Sequence, residues 1–358
     1  MNLQRLAIQN LRVLQALTIH PSPSVNLLVG PNGSGKTSLL EGIHILGVGR
    51  SFRTRHIIDI VTRGCDGLLV VGDLLLDDDR NVTIGVERNF HESRVRISGQ
   101  DIHATSQLAQ IMPLFLITPH SQWLLKEGAF QRRRLVDWTL FHVEPGYLAA
   151  LQRYRGALRQ RNAELKKTRY ATLTVWTQQL VYFGRSLHAL RQRYLQEILP
   201  RLNRITARLM QMRIDLAYDP GWNGHSTLDE ALARSLTNDR LRGYTSAGPH
   251  RADLRLQVDG IPAQRVLSRG EGKLLALSFL LSQVDCVIGC TGKVPLVLVD
   301  DLSSELDAES QMRFLQELAQ IGAQTFLTAL SSTSIDTSCW PNAKQFHVKH
   351  GTCREIAT

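Results

Sequence analysis

A chain of 358 residues is too long for one ordinary hydrophobic core and too short for three, so one large domain with a smaller one is expected. Aromatic residues make up 6% of the chain, which disfavours an aromatic-caged ligand site, and five cysteines without a CxxC pair indicate neither a disulfide framework nor a zinc cluster. No apolar run approaches the roughly 20 residues of a membrane span, and the first ten residues lack a secretory pattern, so a cytoplasmic protein is predicted.

The positive charge of the chain is concentrated in one segment. The formal net charge is +10, and residues 130–213 contain 17 basic residues and four acidic ones. Because this excess is larger than the total, the rest of the chain is slightly acidic. Charge of this size and location indicates an anionic partner rather than a fold.

The first 125 residues are predicted to form short strands broken by turns, with one helix. Apolar strands are expected at residues 3–8 and 25–29, and a helix at residues 38–46. Segments 68–76, 82–87 and 93–98 have the pattern of successive antiparallel strands joined by Asp- or Asn-containing turns. These predictions give a β-rich face beside an α/β core.

The segment between the second strand and the helix fits GxxxxGK[ST], the pattern of a phosphate-binding loop. Its residues are Gly30, Pro31, Asn32, Gly33, Ser34, Gly35, Lys36 and Thr37. The glycines allow the backbone to surround the β- and γ-phosphates of ATP, Lys36 is expected to bridge those phosphates, and Thr37 is expected to hold Mg²⁺. The alternative, a glycine-rich turn without a ligand, is disfavoured by the flanking strand and helix.

Residues from 126 to 240 become rich in Leu and Arg and poor in Gly. Apolar residues at 180, 183, 187, 190, 194 and 198 follow helical spacing and continue beyond Pro200, which we expect to kink or break the helix. The α/β character returns after Thr245. The predicted organisation is therefore a discontinuous α/β head, residues 1–125 and 241–358, with a basic helical lobe at residues 126–240 inserted into it.

A helix at residues 272–287 and a buried strand at residues 294–299 are predicted in the second part of the head. Asp300 and Asp301 follow the strand. Because α/β sheets hold ligands at the carboxyl ends of their strands, Asp300 is the candidate for a second Mg²⁺ ligand. An apolar strand ending in two aspartates is weak evidence alone, but together with the phosphate-binding loop it indicates an ATPase.

Two more segments resemble motifs of the ABC and SMC-type ATPases. The first is similar to the signature motif, and the second, residues 300–307, is similar to the D-loop. The signature residues are Leu267, Ser268, Arg269 and Gly270, and the D-loop residues are Ser304, Glu305 and Asp307. The resemblance implies an α/β ABC-type P-loop ATPase head with an antiparallel β subdomain and an inserted, mostly helical lobe.

The same resemblance implies roles for two further residues. Ser268 would reach the γ-phosphate held by the opposite subunit, so that ATP induces a dimer. Asp301 stands where related ATPases usually carry the glutamate that orients the attacking water. Because aspartate is one methylene shorter, we predict slow hydrolysis, with Lys36, Asp301 and Ser268 as the catalytic residues.

Residues 49–53, 131–137 and 248–253 are similar to strings typical of the RecF family, and the similarity covers essentially the whole chain. The chain departs from the family at two places. Arg12 lacks the neighbouring aromatic residue and asparagine, and His120 replaces an acidic residue after Pro119. Thr328 occupies the position where transporter relatives carry a histidine that senses the γ-phosphate, and it is the candidate switch residue.

RecF-like function implies ATP-dependent DNA binding in recombinational gap repair and replication restart. It further implies cooperation with RecR and RecO, loading of RecA and support of the SOS response. The candidate DNA-binding residues are Arg153, Lys166, Lys167, Arg201, Arg204 and Arg208, with Arg169 beside them. The alternative for such a stripe is a solvated helix surface.

Two rival functions share some of these motifs. The ATP-hydrolysing subunit of a transporter would carry the loop, the signature motif and the acidic strand, but it has no use for a basic helical insert. A P-loop kinase would share the loop alone and needs an acceptor pocket and a lid instead of a signature motif. Cofractionation with membranes or with DNA tests the first alternative, and analysis of the reaction products tests the second.

Overall fold

The computed structural model describes residues 1–119, 123–126, 128–167, 171–302 and 306–356. The chain divides into two compact units, of which unit 1 comprises Met1–Ser121 and Val287–Thr358 and unit 2 comprises Gln122–Cys286. The predicted helical lobe lies within unit 2, which also includes residues 241–286 that the sequence assigned to the head. The functional division into head and lobe stays a prediction.

Unit 1 contains the antiparallel sheet that the alternating segments predicted. Its strand order is β2-β1-β4-β5-β6-β7. Side chains alternate between buried and half-buried along the strand from Gly67 to Leu75, which matches the predicted segment 68–76. This alternation is expected when one face of a sheet covers a core. The strands are β1 (Asn2–Leu11), β2 (Leu14–Ile19), β4 (Gly67–Leu75), β5 (Asn81–Asn89), β6 (Ser93–Ile97) and β7 (Gln100–Asp101).

The second sheet of unit 1 has the order β15-β14-β3-β13-β12-β8 and is parallel except for its edge strand β15. The strands are β3 (Val25–Val29), β8 (Leu114–Ile117), β12 (Leu296–Val299), β13 (Thr325–Ala329), β14 (Lys344–Lys349) and β15 (Thr352–Ile356). Because β3, β13 and β12 are neighbours running in one direction, their carboxyl ends meet at one edge of the sheet. The helices of this unit are α1 (Lys36–Val48), α2 (Ser106–Ile111) and α10 (Ala308–Ile321).

Unit 2 is mostly helical, with the small antiparallel sheet β11-β10-β9. Its helices are α3 (Trp123–Lys126), α4 (Ala129–Val143), α5 (Tyr147–Leu165), α6 (Leu173–Met210), α7 (Leu228–Arg242), α8 (Ala263–Val266) and α9 (Arg269–Thr291), the last ending in unit 1. Its strands are β9 (Asp215–Asp219), β10 (Asp253–Val258) and β11 (Ile261–Pro262).

The long helix α6 confirms the predicted apolar stripe. Leu180, Leu187 and Ile198 are completely buried. Of the kink or break predicted at Pro200, the break is wrong, because α6 continues through this residue to Met210. Pro200 is exposed while Ile198 and Leu202 on either side are fully buried, so packing of the apolar face holds the helix together where one backbone hydrogen bond is lost.

Helix α9 is long and apolar enough to cross a membrane by length and composition, and it is the one such helix in the described part of the chain. Within the fold, 72% of its apolar window is buried. Leu275, Phe279 and Val287 are among its fully buried side chains. This burial is that of a core helix, so its composition is weak evidence for a membrane.

Candidate nucleotide-binding site

The loop from Gly30 to Thr37 lies between the carboxyl end of β3 and the first turn of α1. A Cβ atom at Gly30 would lie 2.1 Å from the carbonyl oxygen of Val348, and Gly33 has a φ of +76°, so both positions require glycine. The Ser34 hydroxyl is buried and has no hydrogen-bond partner among the described residues. A tight glycine cradle with an unsatisfied polar atom fits the phosphate group that the sequence predicts.

The strand pair β14-β15 supports this loop. The sequence did not indicate this support. Gly351, in the turn of the pair, donates its N–H to the carbonyl of Ser34 at 3.0 Å. Gly35 begins α1 with a φ of +117°, and a Cβ atom there would lie 2.9 Å from Leu14 Cδ2. Gly351 and Leu14 therefore constrain the loop from this side.

Lys36 folds back onto its own loop. Its Nζ donates hydrogen bonds to the carbonyl oxygens of Gly30 at 2.6 Å and Pro31 at 3.0 Å. Burial lowers the pKa of Lys36, while the negative charges of Asp301 and Asp300 act in the opposite direction. The ammonium group is thus held beside the cradle and two carboxylates.

Thr37 and Asp300, the two predicted Mg²⁺ ligands, are in contact. The Thr37 hydroxyl lies 3.0 Å and 3.2 Å from the two carboxylate oxygens of Asp300. Burial raises the pKa of Asp300, and Asp301 adds to this effect, while hydrogen bonds from Thr328 and Thr37 oppose it. A hydroxyl and a carboxylate suit Mg²⁺, which takes one or two protein carboxylates and completes its shell with water and phosphate.

Thr328 joins the two aspartates. Its hydroxyl accepts a hydrogen bond from the backbone N–H of Asp301 at 2.8 Å and donates one to Asp300 Oδ1 at 2.9 Å. Asp301 has a φ of +49°, a left-handed conformation that aspartate tolerates. Thr328 is therefore a positioning residue for the Asp300 carboxylate and for the backbone at Asp301, at the position predicted for the switch.

Replacing Thr328 with valine is expected to raise the Mg²⁺ concentration needed for half-maximal ATP hydrolysis by roughly tenfold, since a lost hydrogen bond to a charged group costs on the order of 1.5 kcal/mol. Titration of hydrolysis with Mg²⁺ measures the effect. Thr325→Val is the matched control, because it removes a buried hydroxyl on the same strand that bonds only to the Ala323 carbonyl. Equal Mg²⁺ requirements in the two variants would contradict the role of Thr328.

Arg12 takes part in a buried ion pair that the sequence did not predict. Its guanidinium group pairs with both carboxylate oxygens of Glu41, a completely buried residue of α1, and also donates to the carbonyl of Asp59 at 2.9 Å. Ser51, within the string 49–53, donates a hydrogen bond to the same carboxylate. These contacts tie β1 and the string 49–53 to the helix that follows the phosphate-binding loop.

The signature residues lie in unit 2, at the start of α9. Ser268 and Glu271 form a reciprocal cap, since Ser268 N–H donates to the Glu271 carboxylate at 2.8 Å and Glu271 N–H donates to the Ser268 hydroxyl at 3.3 Å. Ser268, Arg269 and Gly270 are exposed, and Leu267 is half-buried. Most of the signature motif is therefore exposed in the described structure.

Five further residues that the sequence analysis singled out include one D-loop residue that the structure describes. Asp307 caps α10 by accepting a hydrogen bond from the Ser310 N–H at 2.9 Å. The predictions for His120, Arg169, Ser304 and Glu305 fall outside the described residues.

Three of the candidate DNA-binding residues, Lys167, Arg201 and Arg204, have acidic partners. Asp285, on α9, lies 3.2 Å from Arg201 Nε and 2.9 Å from an Arg204 nitrogen, and Lys167 pairs with Glu164. Arg153 instead stacks over the ring of Phe183, with 5.8 Å to the ring centroid. Arg208 and Lys166 are exposed.

Comparison with known proteins matches the whole chain. A family profile described as the RecF/RecN/SMC N terminal domain matches residues 2–352. The DNA replication and repair protein RecF of Thioalkalivibrio sulfidiphilus is 37% identical over 357 residues, which are 99% of each chain. The RecF of Stutzerimonas stutzeri is 38% identical over 366 residues, covering 99% of this chain and 98% of the relative.

Solved structures show the same fold. One described as the recombination mediator protein RecF with ATP, in the RecFOR pathway, has a TM-score of 0.88 at 24% identity and covers 99% of this chain and 98% of its own. An Smc head domain from Pyrococcus furiosus has a TM-score of 0.63 at 15% identity, over 100% of this chain and 96% of its own. The predicted α/β class, with its antiparallel sheet and helical insert, is confirmed.

Proposed function

This chain belongs to the RecF family of SMC-like ATPases, and from that membership we propose that it is an ATP-dependent DNA-binding protein of recombinational gap repair and replication restart. In this proposal it works in the cytoplasm with RecR and RecO, helps RecA to load and supports the SOS response. The observation that carries the proposal is the contact of Thr37 with Asp300 beside the glycine cradle, which suits ATP with Mg²⁺.

We propose that ATP binds between two copies of the chain. Gly30, Gly33 and Gly35 of one copy surround the phosphates, Lys36 binds them, and Thr37 and Asp300 hold Mg²⁺, which neutralises charge that develops on the phosphates. Ser268 of the other copy completes the site. Two observations support this: Ser268 is exposed at the start of a buried helix, and a Cβ atom at Gly270 would meet nothing within 4 Å.

We propose that this ATPase is slow and that DNA stimulates it. Asp301 orients the attacking water but has a shorter side chain than glutamate. The Asp301 N–H donates to Thr328, which fixes the left-handed backbone from which this carboxylate extends. Hydrolysis in this proposal serves to release the dimer from DNA.

DNA binding in this proposal depends on the negative charge of the DNA phosphates rather than on base sequence. The 17 basic residues between 130 and 213 support it. Asp285 modifies the contribution of Arg201 and Arg204, because a DNA phosphate has to compete with this carboxylate for both guanidinium groups.

Asp285→Asn is therefore expected to tighten binding of duplex DNA in the presence of ATP by roughly two- to fivefold and to steepen the salt dependence by about one unit of slope, because Arg204 loses its acidic partner while Arg201 keeps Glu197. Fluorescence anisotropy over a range of salt concentrations measures both quantities. Glu309→Gln is the control, since it removes one exposed carboxylate that lies 4.0 Å from Arg313 in unit 1. The same gain in both variants would reduce the effect to net charge and exclude a specific role of Asp285.

The test of the proposed function is retention on immobilised gapped DNA with ATP, with ADP and without nucleotide. We expect retention with ATP alone and release of free phosphate as the product of hydrolysis. Transfer of phosphate to an acceptor would indicate a kinase, and binding to membranes in place of DNA would indicate a transporter subunit.

A further inference from the structure

An exposed tyrosine surrounded by cations lies at the end of α7. Tyr244 is 38% exposed, and the guanidinium carbon of Arg251 lies 5.4 Å from its ring centroid. The Lys166 side chain passes next to Gly243, where a Cβ atom would lie 3.1 Å from Lys166 Cγ. Arg242 is exposed beside them. We call Lys166, Arg242, Tyr244 and Arg251 the Tyr244 patch.

The Tyr244 patch carries positive charge without neighbouring acidic partners. Among the described residues, no acidic side chain forms an ion pair with Lys166, Arg242 or Arg251. Two acidic residues close to the patch in sequence are already neutralised, because Glu164 pairs with Lys167 and Asp239 is completely buried against Arg161. The patch therefore has a net charge of about +3 and suits an anionic ligand.

A buried polar network fixes the backbone on both sides of Tyr244. Arg161 is completely buried and donates to Asp239 at 2.9 Å and to the Thr245 hydroxyl at 2.6 Å. The Thr245 N–H and hydroxyl donate to Asn162 Oδ1 at 2.8 Å and 2.7 Å. On the other side, Gly243 N–H donates to the Asp239 carbonyl at 2.8 Å.

The loop that carries Arg251 is held by the same network. His250 bonds to the Thr245 carbonyl at 3.0 Å and to the Tyr154 hydroxyl at 2.7 Å, and Arg251 N–H donates to the Gly248 carbonyl at 2.8 Å. A Cβ atom at Gly248 would lie 2.7 Å from the Tyr154 hydroxyl.

Burial of the Arg161–Asp239 ion pair costs desolvation energy. A fold with two apolar residues in place of such a pair would often be at least as stable. The network holds the backbone on both sides of Tyr244 and the loop that carries Arg251. Preorganised aromatic and cationic side chains on a rigid support are the arrangement of a binding site.

We propose that the Tyr244 patch binds an unpaired stretch of a DNA strand, with one base stacked on the Tyr244–Arg251 pair and phosphates bound by Lys166 and Arg242. This inference rests on the proposed DNA-binding function. A fully paired duplex has its bases stacked inside and gains little from an exposed ring, whereas an unpaired base gains stacking on an aromatic or arginine plane. The patch thus selects the single-stranded part of a gap, while the charged residues bind both forms.

The test compares the full chain with ATP on three DNAs of equal length: a gapped duplex, a blunt duplex and a single strand. We expect Tyr244→Ala to weaken binding to the gapped and single-stranded DNAs by roughly 5- to 100-fold and to leave the blunt duplex unchanged. Tyr244→Phe keeps the ring and is expected to retain wild-type affinity. Phe90→Ala, which removes an aromatic residue that is 47% exposed in unit 1, is the control.

The outcomes separate this inference from the function on which it rests. Equal losses on gapped and blunt DNA in Tyr244→Ala, or no loss on either, would overturn the role of the Tyr244 patch while DNA binding by the wild type stands. Failure of the wild type to bind any of the three DNAs with ATP would overturn the proposed function and this inference together.

Discussion

Lys36→Met is expected to lower the rate of ATP hydrolysis by at least about 100-fold, the loss typical when a preorganised electrostatic group is removed from an active site. The Lys36 ammonium group is held by two loop carbonyls beside Asp300 and Asp301. Without it, the phosphates would lose a cation that the loop holds beside the two carboxylates. Steady-state release of phosphate measures the effect, and ATP-dependent retention on DNA is expected to fall with it.

Lys293→Met is a suitable control for this experiment, because Lys293 is an exposed lysine just after α9. We expect it to hydrolyse ATP at the wild-type rate. If Lys36→Met kept more than about a tenth of the wild-type rate, the loop would not be the catalytic phosphate site. ATP-dependent DNA retention that is unchanged in this variant would end the proposed coupling of ATP to DNA.

Ser268→Arg is expected to abolish the ATP-induced dimer while leaving binding of ATP to the single chain within about twofold of the wild type, since sites that share no partners are normally independent. The reason is that Ser268 lies in unit 2 and is proposed to contact only the nucleotide of another copy. Sedimentation measures the dimer, and a fluorescent ATP analogue measures binding.

The loss of the Ser268 cap costs helix α9 about 1 kcal/mol, so folding has to be checked separately by thermal unfolding. Ser268→Thr keeps a capping hydroxyl and is expected to dimerise like the wild type. A Ser268→Arg chain that dimerises normally with ATP would show that the signature motif is not part of the interface.

The sequence predicts the parts of the site that depend on short patterns and on general rules for parallel sheets. Gly30 to Thr37 form a continuous motif, and the meeting of Thr37 with Asp300 follows because the strands that precede them share one edge of a sheet. The antiparallel strands 68–76, 82–87 and 93–98 were recognisable for a similar reason, since alternation is a local signal.

Contacts between distant residues could not be predicted in this way. Arg204 pairs with Asp285, on another helix, and Arg12 pairs with Glu41. Neither pair leaves a periodic signal in the sequence, so a basic stripe on α6 appears free until the fold is known. Pro200 shows the opposite case, because tertiary packing of Ile198 and Leu202 overrides a local tendency to end the helix.

The central claim is that one ATP site is completed by two copies of the chain, and mixing two inactive variants tests it most directly. Lys36→Met lacks a functional phosphate loop, and Ser268→Ala lacks the group that acts on the other copy. A mixed dimer contains one intact site, built from the loop of the Ser268→Ala chain and the Ser268 of the Lys36→Met chain. We predict that an equal mixture recovers roughly a quarter of the wild-type hydrolysis rate, because half of the dimers are mixed and each has one working site of two. A mixture that stays as inactive as its separate components would contradict the shared site.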